Sequence, residues 1–482
     1  MRRRSRLLSI AVLVLVALAA PLPGARADDY SDPAYLQHDI DNVSRALASG
    51  RQVASLLDPE YAAAFAPAAA ETFLTNLGRQ VADAPRGRVY ATLGQLLPGG
   101  AIGDPLEHRS MTPLTVSFLS RTGAKLTGRL WSNGKPGPHP AVVITPGSIQ
   151  GTQHMYFWAA RTLAQAGYQV LTFDAQGQGE SETFGHAPGD AVPTSDGFPF
   201  QQEANFVDGT VDALRFLYST PADPYVPGGW TDGDVAAARS AADGTLAWAN
   251  PLAAQLDRSR LALAGHSLGA RANSVVQQCA GAADLWRSLP VCTGRSFPIK
   301  AVVAWDGLSA SGVTPVVPAM DQRADGYFLN PVPAPEAPDP DAGLAPYRAW
   351  RAAGLASYSL AVRGGTHLEW VDVPYILPST TYGVRLADAY TFAWIERYTA
   401  PTAERRAVAA TQLLEAPISE PGAADQLPWR ADFMSARQLG AFAFRDASGT
   451  VRTTDDLRAY GGASPVGDWP GANANQPVVR EP

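Results

Sequence analysis

The sequence predicts an α/β protein: a mostly parallel sheet of about eight strands with helices on both faces. Three observations predict it. Strand-like and helix-like segments alternate from Leu114 to Tyr398. Pro140–Thr145 is apolar almost throughout and stops at Pro146-Gly147, as a parallel strand buried on both faces would. An apolar strand, Leu261–Ala264, also runs into Gly265-His266-Ser267-Leu268-Gly269 and then into an Ala-rich segment at helical spacing.

The elements follow in order. Arg2, Arg3, Arg4 and Arg6 precede an apolar run from Leu7 to Ala20. Pro21–Gly24 break the run, and Ala25-Arg26-Ala27 gives a small-x-small cleavage site, so residues 1–27 read as an export signal. The apolar run is short for a membrane span, which argues against a stable anchor. Residues 28–111 carry apolar residues at three- and four-residue spacing, as in Ser44–Leu57 and Ala69–Val81, and predict a helical extension.

From Leu114 the pattern turns to strands. Leu114–Leu119 and Lys125–Trp131 flank Arg121–Gly123 as a hairpin. A helix over Tyr156–Ala166 stops at Gly167, and a strand follows over Tyr168–Phe173. Next come a helix from about Gln201 to Tyr218 and the strand and helix around Ser267. Strands at Ile299–Trp305, Val313–Met320 and Ser357–Val362 continue the alternation, and a helix over Tyr382–Tyr398 closes it. The alternation marks one domain over 112–400, interrupted by insertions at about 183–256 and 326–356. The second holds a proline-rich stretch with Pro331, Pro333, Pro335, Pro338, Pro340 and Pro346. Residues 401–482 form a C-terminal extension, rich in Pro and Gly near its end.

Charge and cysteine content narrow the partners. Removing residues 1–27 takes away five arginines and no acid, leaving 33 basic against 45 acidic residues. Nucleic acids and anionic membranes draw their affinity from basic patches, so this balance disfavours both. Cys279 and Cys292 are the only cysteines. In an exported chain, with no matching His or Cys pair, they predict a disulfide pinning the Ala280–Val291 loop rather than half of a metal site.

The candidate chemistry centres on Ser267. Glycines on either side of a strand-to-helix turn permit a bend sharp enough to expose a serine hydroxyl. Such a hydroxyl needs a base, and of seven histidines only His367 follows Ser267, in a loop beyond the Ser357–Val362 strand. Catalytic groups collect at that edge of open α/β sheets. The acid orienting the histidine is expected at Asp325, just past the strand read at Pro315–Met320. Asp306, ending the previous strand, is second, and Asp321 third. Oxyanion donors are expected at the backbone N–H of Leu268 and at the loop after Pro140–Thr145, with Ser148 first and Ile149 second.

These motifs, with Phe173-Asp174-Ala175-Gln176-Gly177-Gln178-Gly179-Glu180-Ser181, make residues 112–400 resemble the α/β-hydrolase fold. Within it they are similar to secreted bacterial esterases and lipases of dienelactone-hydrolase type. The chain departs from the family in two places. Pro146 stands where a histidine is frequent, which loosens the oxyanion assignment. The gap from Asp325 to His367 is long, which loosens the choice of acid.

The resemblance implies a Ser267–His367–Asp325 triad, an acyl-enzyme intermediate, no cofactor and no metal, and a small-molecule or lipid-like ester as substrate. The two insertions would cover the site as a lid. Peptidase, thioesterase or acyltransferase action on the same fold stays open, as does a non-catalytic binding protein that has kept it.

Overall fold

Strands composed almost entirely of aliphatic residues can be stable in water only with both faces covered, and this requirement organises the molecule. The computed structural model describes residues 37–38, 41–42, 111–148, 151–188, 199–241, 244–324, 343–362, 367, 370–371, 381–414, 434–445, 451–456 and 479–480. Eight strands arise in the predicted domain: β1 (Leu114–Leu119), β2 (Lys125–Trp131), β3 (His139–Thr145), β4 (Gln169–Phe173), β5 (Leu256–His266), β6 (Ile299–Trp305), β7 (Ala319–Ala324) and β8 (Ser357–Val362). Every residue of β3, β4 and β7 is buried, whereas β5 is buried at Leu256 and over its last six residues.

The strand order is β1-β2-β4-β3-β5-β6-β7-β8. Neighbours from β4 through β8 run parallel, while β1 and β2 form the antiparallel hairpin on one side. The chain steps from β3 outward to β4, then returns to the other side of β3 for β5. That reversal opens a crevice beyond the C-terminal ends of β3 and β5.

Helices fill both faces. Side chains alternate along β3: Val142 and Ile144 join one core, Ala141 and Val143 the other. The first core packs α1 (Phe157–Gln165) and, later in the chain, Tyr390, Ala393 and Trp394 of the helix over Thr381–Thr399. The second packs α2 (Glu203–Leu217) through Phe206, Val211 and Phe216, with Ala272 and Val276 of the helix that follows Ser267. Helix α1 stops where expected. Gly167 takes φ 97°, its N–H donates to Ala164 O and that of Tyr168 to Leu163 O, which satisfies the last carbonyls.

Continuing in chain order, α3 spans Asp232–Ala241, α4 Leu268–Val276, α5 Ala283–Ser288, α6 Ala345–Ala352, α7 Thr381–Thr399 and α8 Ala403–Leu414. The sulfurs of Cys279 and Cys292 are 2.07 Å apart, a disulfide that ties the α5 segment behind α4. No helix among the described residues is long and apolar enough to cross a membrane.

Three features differ from the sequence reading. The strand expected at Val313–Met320 lies at Ala319–Ala324. Pro315 and Pro318 have no N–H to give a sheet, and the N–H groups of Thr314, Val316 and Val317 donate instead to the side-chain oxygens of Gln278 and Gln277. Next, α2 and α6 belong to the core, although they fall in segments expected to cover the site. Trp350 of α6 is fully buried, and its indole N–H donates to Val317 O.

Last, the C-terminal extension adds strands: β9 (Met434–Arg445) pairs antiparallel with β8, and β10 (Val451–Asp456) and β11 (Val479–Arg480) pair with β9. Of the N-terminal extension, residues 37–38 and 41–42 are helical. Buried Asn42 donates to the carbonyls of Gly179 and Ser181 and accepts from the Thr183 hydroxyl. Residues 1–27 lie outside the described residues.

Candidate active site

Strands in parallel register end together, and here the register fixes which loops meet. Thr145 pairs with Gly265, Gly265 with Ala304, and His266 with Trp305. Pro146-Gly147-Ser148, Ser267 and Asp306 therefore leave the sheet at one edge, side by side. Trp305 pairs in turn with Gln322, and Ala324 with Val362, so the loop carrying His367 begins at the same edge.

Ser267 sits at φ 53° and ψ −120°, a conformation that costs a residue with a side chain about 1–3 kcal/mol. The crowding around it explains why the cost is borne. A Cβ on Gly269 would lie 2.2 Å from Pro146 O, and one on Gly265 2.6 Å from the Asn273 side-chain nitrogen. The last residues of β3 and the first turn of α4 thus touch through backbone, and the chain between them has no relaxed path. Ser267 is the N-cap of α4, yet its side chain makes no capping hydrogen bond. It is half-buried, as is Leu268 after it. Leu268 opens α4, where the first N–H groups have no acceptor within the helix.

Asp306 follows β6 and also has positive φ, 51°. Its own N–H donates to Gln322 O, and the N–H of Ser267 donates to Trp305 O at 2.8 Å. Serine and aspartate are therefore joined through adjacent peptide groups. The Asp306 carboxylate accepts from His367 Nδ1 at 2.5 Å and from the Ala324 N–H at 2.9 Å. Burial by itself would raise the Asp306 carboxyl. The hydrogen bond and charge of His367 and the Ala324 amide outweigh it, and the group lies below its ordinary value.

Among the described residues the carboxylate on His367 is Asp306, the second choice of the sequence reading, which preferred Asp325. Asp325 lies outside the described residues, as does Ile149. Asp321, the third choice, lies within β7 rather than in a loop, fully buried, where burial first and the charge of Asp306 second push its carboxyl up to about 7 against the pull of Arg323. Ser148 is half-buried immediately after Gly147, on the edge shared with Ser267.

Two further residues went unnoticed in the sequence. The Tyr156 hydroxyl donates to His266 Nδ1 at 2.9 Å and accepts from the Gly147 N–H at 3.0 Å, and His266 Nε2 donates to His367 O at 2.7 Å. His266 was legible only as the middle residue of the Gly-x-Ser-x-Gly turn, and Tyr156 carried no local signal. Burial, with the neighbouring His367 charge, lowers His266 to about 3, so its ring is neutral. Compared with known proteins, the chain matches no family model and no curated sequence.

Proposed function

We propose that this protein is an exported serine hydrolase of the α/β-hydrolase type that cleaves carboxylic esters, with Ser267 as nucleophile, His367 as base and Asp306 as its orienting acid. One observation carries the reading: a part-buried Asp306–His367 pair joined through the backbone to a serine held at positive φ on a strand-to-helix turn. Structural ion pairs have no need of a neighbouring strained serine, whereas a nucleophile–base–acid constellation does.

In this mechanism Ser267 Oγ attacks the ester carbonyl carbon and its proton passes to Nε2 of His367. The imidazolium so formed is stabilised by Asp306 on Nδ1. The N–H groups of Leu268 and Ser148 receive the developing oxyanion. The leaving alcohol takes the proton from His367 as the carbon–oxygen bond breaks, giving an acyl-Ser267. His367 then draws a proton from water, which attacks the acyl carbon, and returns that proton to Ser267 Oγ as the acyl carbon–Oγ bond breaks, freeing the acid and the serine. The Cys279–Cys292 disulfide supports the reading of residues 1–27 as an export signal, since such bonds persist in oxidising compartments.

The test uses the chain from residue 28 onward with p-nitrophenyl esters of graded acyl length and a fluorophosphonate probe. Turnover, with the label on Ser267, is the expected result. Absence of turnover at every chain length together with an unlabelled Ser267 overturns it.

A further inference from the structure

We propose that Tyr156 and His266 form a positioning relay that holds the loop after β3 and the main chain of His367 in fixed relation. This rests on the ester-hydrolase reading, and it assigns to the site two residues that touch no reacting atom.

The relay is a single file of hydrogen bonds with one direction. Gly147 N–H donates to Tyr156 Oη at 3.0 Å, the tyrosine O–H donates to His266 Nδ1 at 2.9 Å, and His266 Nε2–H donates to the carbonyl of His367 at 2.7 Å. Each link dictates the next. Because Tyr156 accepts from Gly147, its own proton is free for Nδ1. With Nδ1 filled as an acceptor, the imidazole proton must be on Nε2, where its partner among the described residues is His367 O. A proton on both ring nitrogens would set Nδ1–H against the tyrosine hydrogen, so the file works only with neutral imidazole.

Its two ends matter for the chemistry. The Gly147 N–H is spent on Tyr156, which fixes the Pro146–Gly147 peptide plane; the next peptide, whose carbonyl accepts from Gln178 Nε2 at 2.9 Å, carries the Ser148 N–H, the next donor along the loop. At the other end the file grips the main chain of His367, while Asp306 grips its ring through Nδ1. Both ring planes are held as well. Tyr156 stacks on Trp305 with centroids 5.8 Å apart and planes within 6°, and the His266 and His367 rings are 4.6 Å apart. Trp305 directly precedes Asp306, so the ring that stacks on Tyr156 is one residue from the proposed acid, and His266 is one residue from Ser267. Tyr156 and His266 are buried, where an unmade hydrogen bond is costly, so the file has no aqueous alternative.

Tyr156→Phe tests it, because phenylalanine keeps the ring stacked on Trp305 and deletes one hydroxyl. Expected are a fall in kcat on a p-nitrophenyl ester of about 10- to 100-fold, as for a misplaced catalytic group, and KM and far-ultraviolet circular dichroism unchanged from wild type. Combined with His266→Ala, the tyrosine change should add little further loss, since either one breaks the file. In imidazole 15N spectra, wild-type His266 should show one Nε2–H tautomer from pH 5 to 9, and Tyr156→Phe should mix the tautomers and shift the His367 signals. Unchanged kcat in Tyr156→Phe, or fully additive losses, overturns the relay. A wild type that neither turns over nor labels at Ser267 sinks the hydrolase reading instead. The spectra need no turnover and still decide the relay: an unaltered His266 tautomer with unmoved His367 signals in Tyr156→Phe overturns it.

Discussion

The Asp306 carboxylate meets Nδ1 of His367 at 2.5 Å, across 61 positions of sequence, and its second oxygen is fixed by the Ala324 N–H. A carboxylate so held has one orientation, and the imidazole it faces has one as well. In the proposed reaction this pair selects the tautomer with the proton on Nδ1, so that Nε2 is the nitrogen that takes the Ser267 proton.

Asp306→Asn should therefore lower kcat by about 10³- to 10⁴-fold, as loss of the orienting acid does in other triads. Asp325→Asn should leave kcat close to wild type. Parallel p-nitrophenyl ester kinetics on the two variants decide between the acids. A collapse in Asp325→Asn with Asp306→Asn active would return the role to Asp325.

The turn at Ser267 trades stability for exposure of the hydroxyl. Ser267→Gly relieves the positive φ at the expense of added chain entropy, and the net gain should be about 1 kcal/mol. The same change removes the proposed nucleophile and should abolish fluorophosphonate labelling. Chemical denaturation reads the first effect; a midpoint below wild type would show that the turn is unstrained.

Close backbone approach predicts the opposite at Gly269. A Cβ there would sit 2.2 Å from Pro146 O and 2.4 Å from Thr145 O, both backbone atoms that cannot swing aside. Gly269→Ala should cost about 3 kcal/mol and separate β3 from α4. Loss of both stability and labelling is the outcome to look for. A variant with wild-type unfolding would contradict the packing.

Asp321 makes stability depend on pH. Burial holds its carboxyl near 7 in the folded chain, against 3.8 for a free side chain. Between those values the folded state keeps a proton that the unfolded state has released. Stability from this group is therefore complete below about pH 4, declines as pH rises and levels off above about pH 7, by about 1.4 kcal/mol per unit. Asp321→Asn removes the titration, so its stability relative to wild type should climb from pH 4 to pH 7. A constant difference across that range would refute the assignment.

Much of the fold was legible because its signals are local. The apolar run of β3, the alternation in β1 and β2, and the stop at Gly167 each arise from residues a few positions apart. The strand at Ala319–Ala324 was misplaced because Val316 and Val317 look like strand residues. Their N–H groups are both taken by the side-chain oxygen of Gln277, about 40 positions earlier, a competition that no local window registers. Strand β9 went unread because Met434–Arg445 has only partial alternation. It becomes a strand by pairing with the free edge of β8.

The sequence by itself determined that an apolar strand enters a glycine-flanked serine turn, that one histidine follows it, and that two cysteines could bridge. Each depends on residue identity, order or count. Tertiary structure alone brought Asp306 against His367. Sequence alone ranked Asp306 second, and its place depends on β6 lying directly beside β5, so that the residue after Trp305 leaves the sheet beside the residue after His266. Tyr156 came into play in the same way. Hydrogen bonds between distant residues follow from how parallel strands align at a shared edge, and that alignment is set by the packing of two cores.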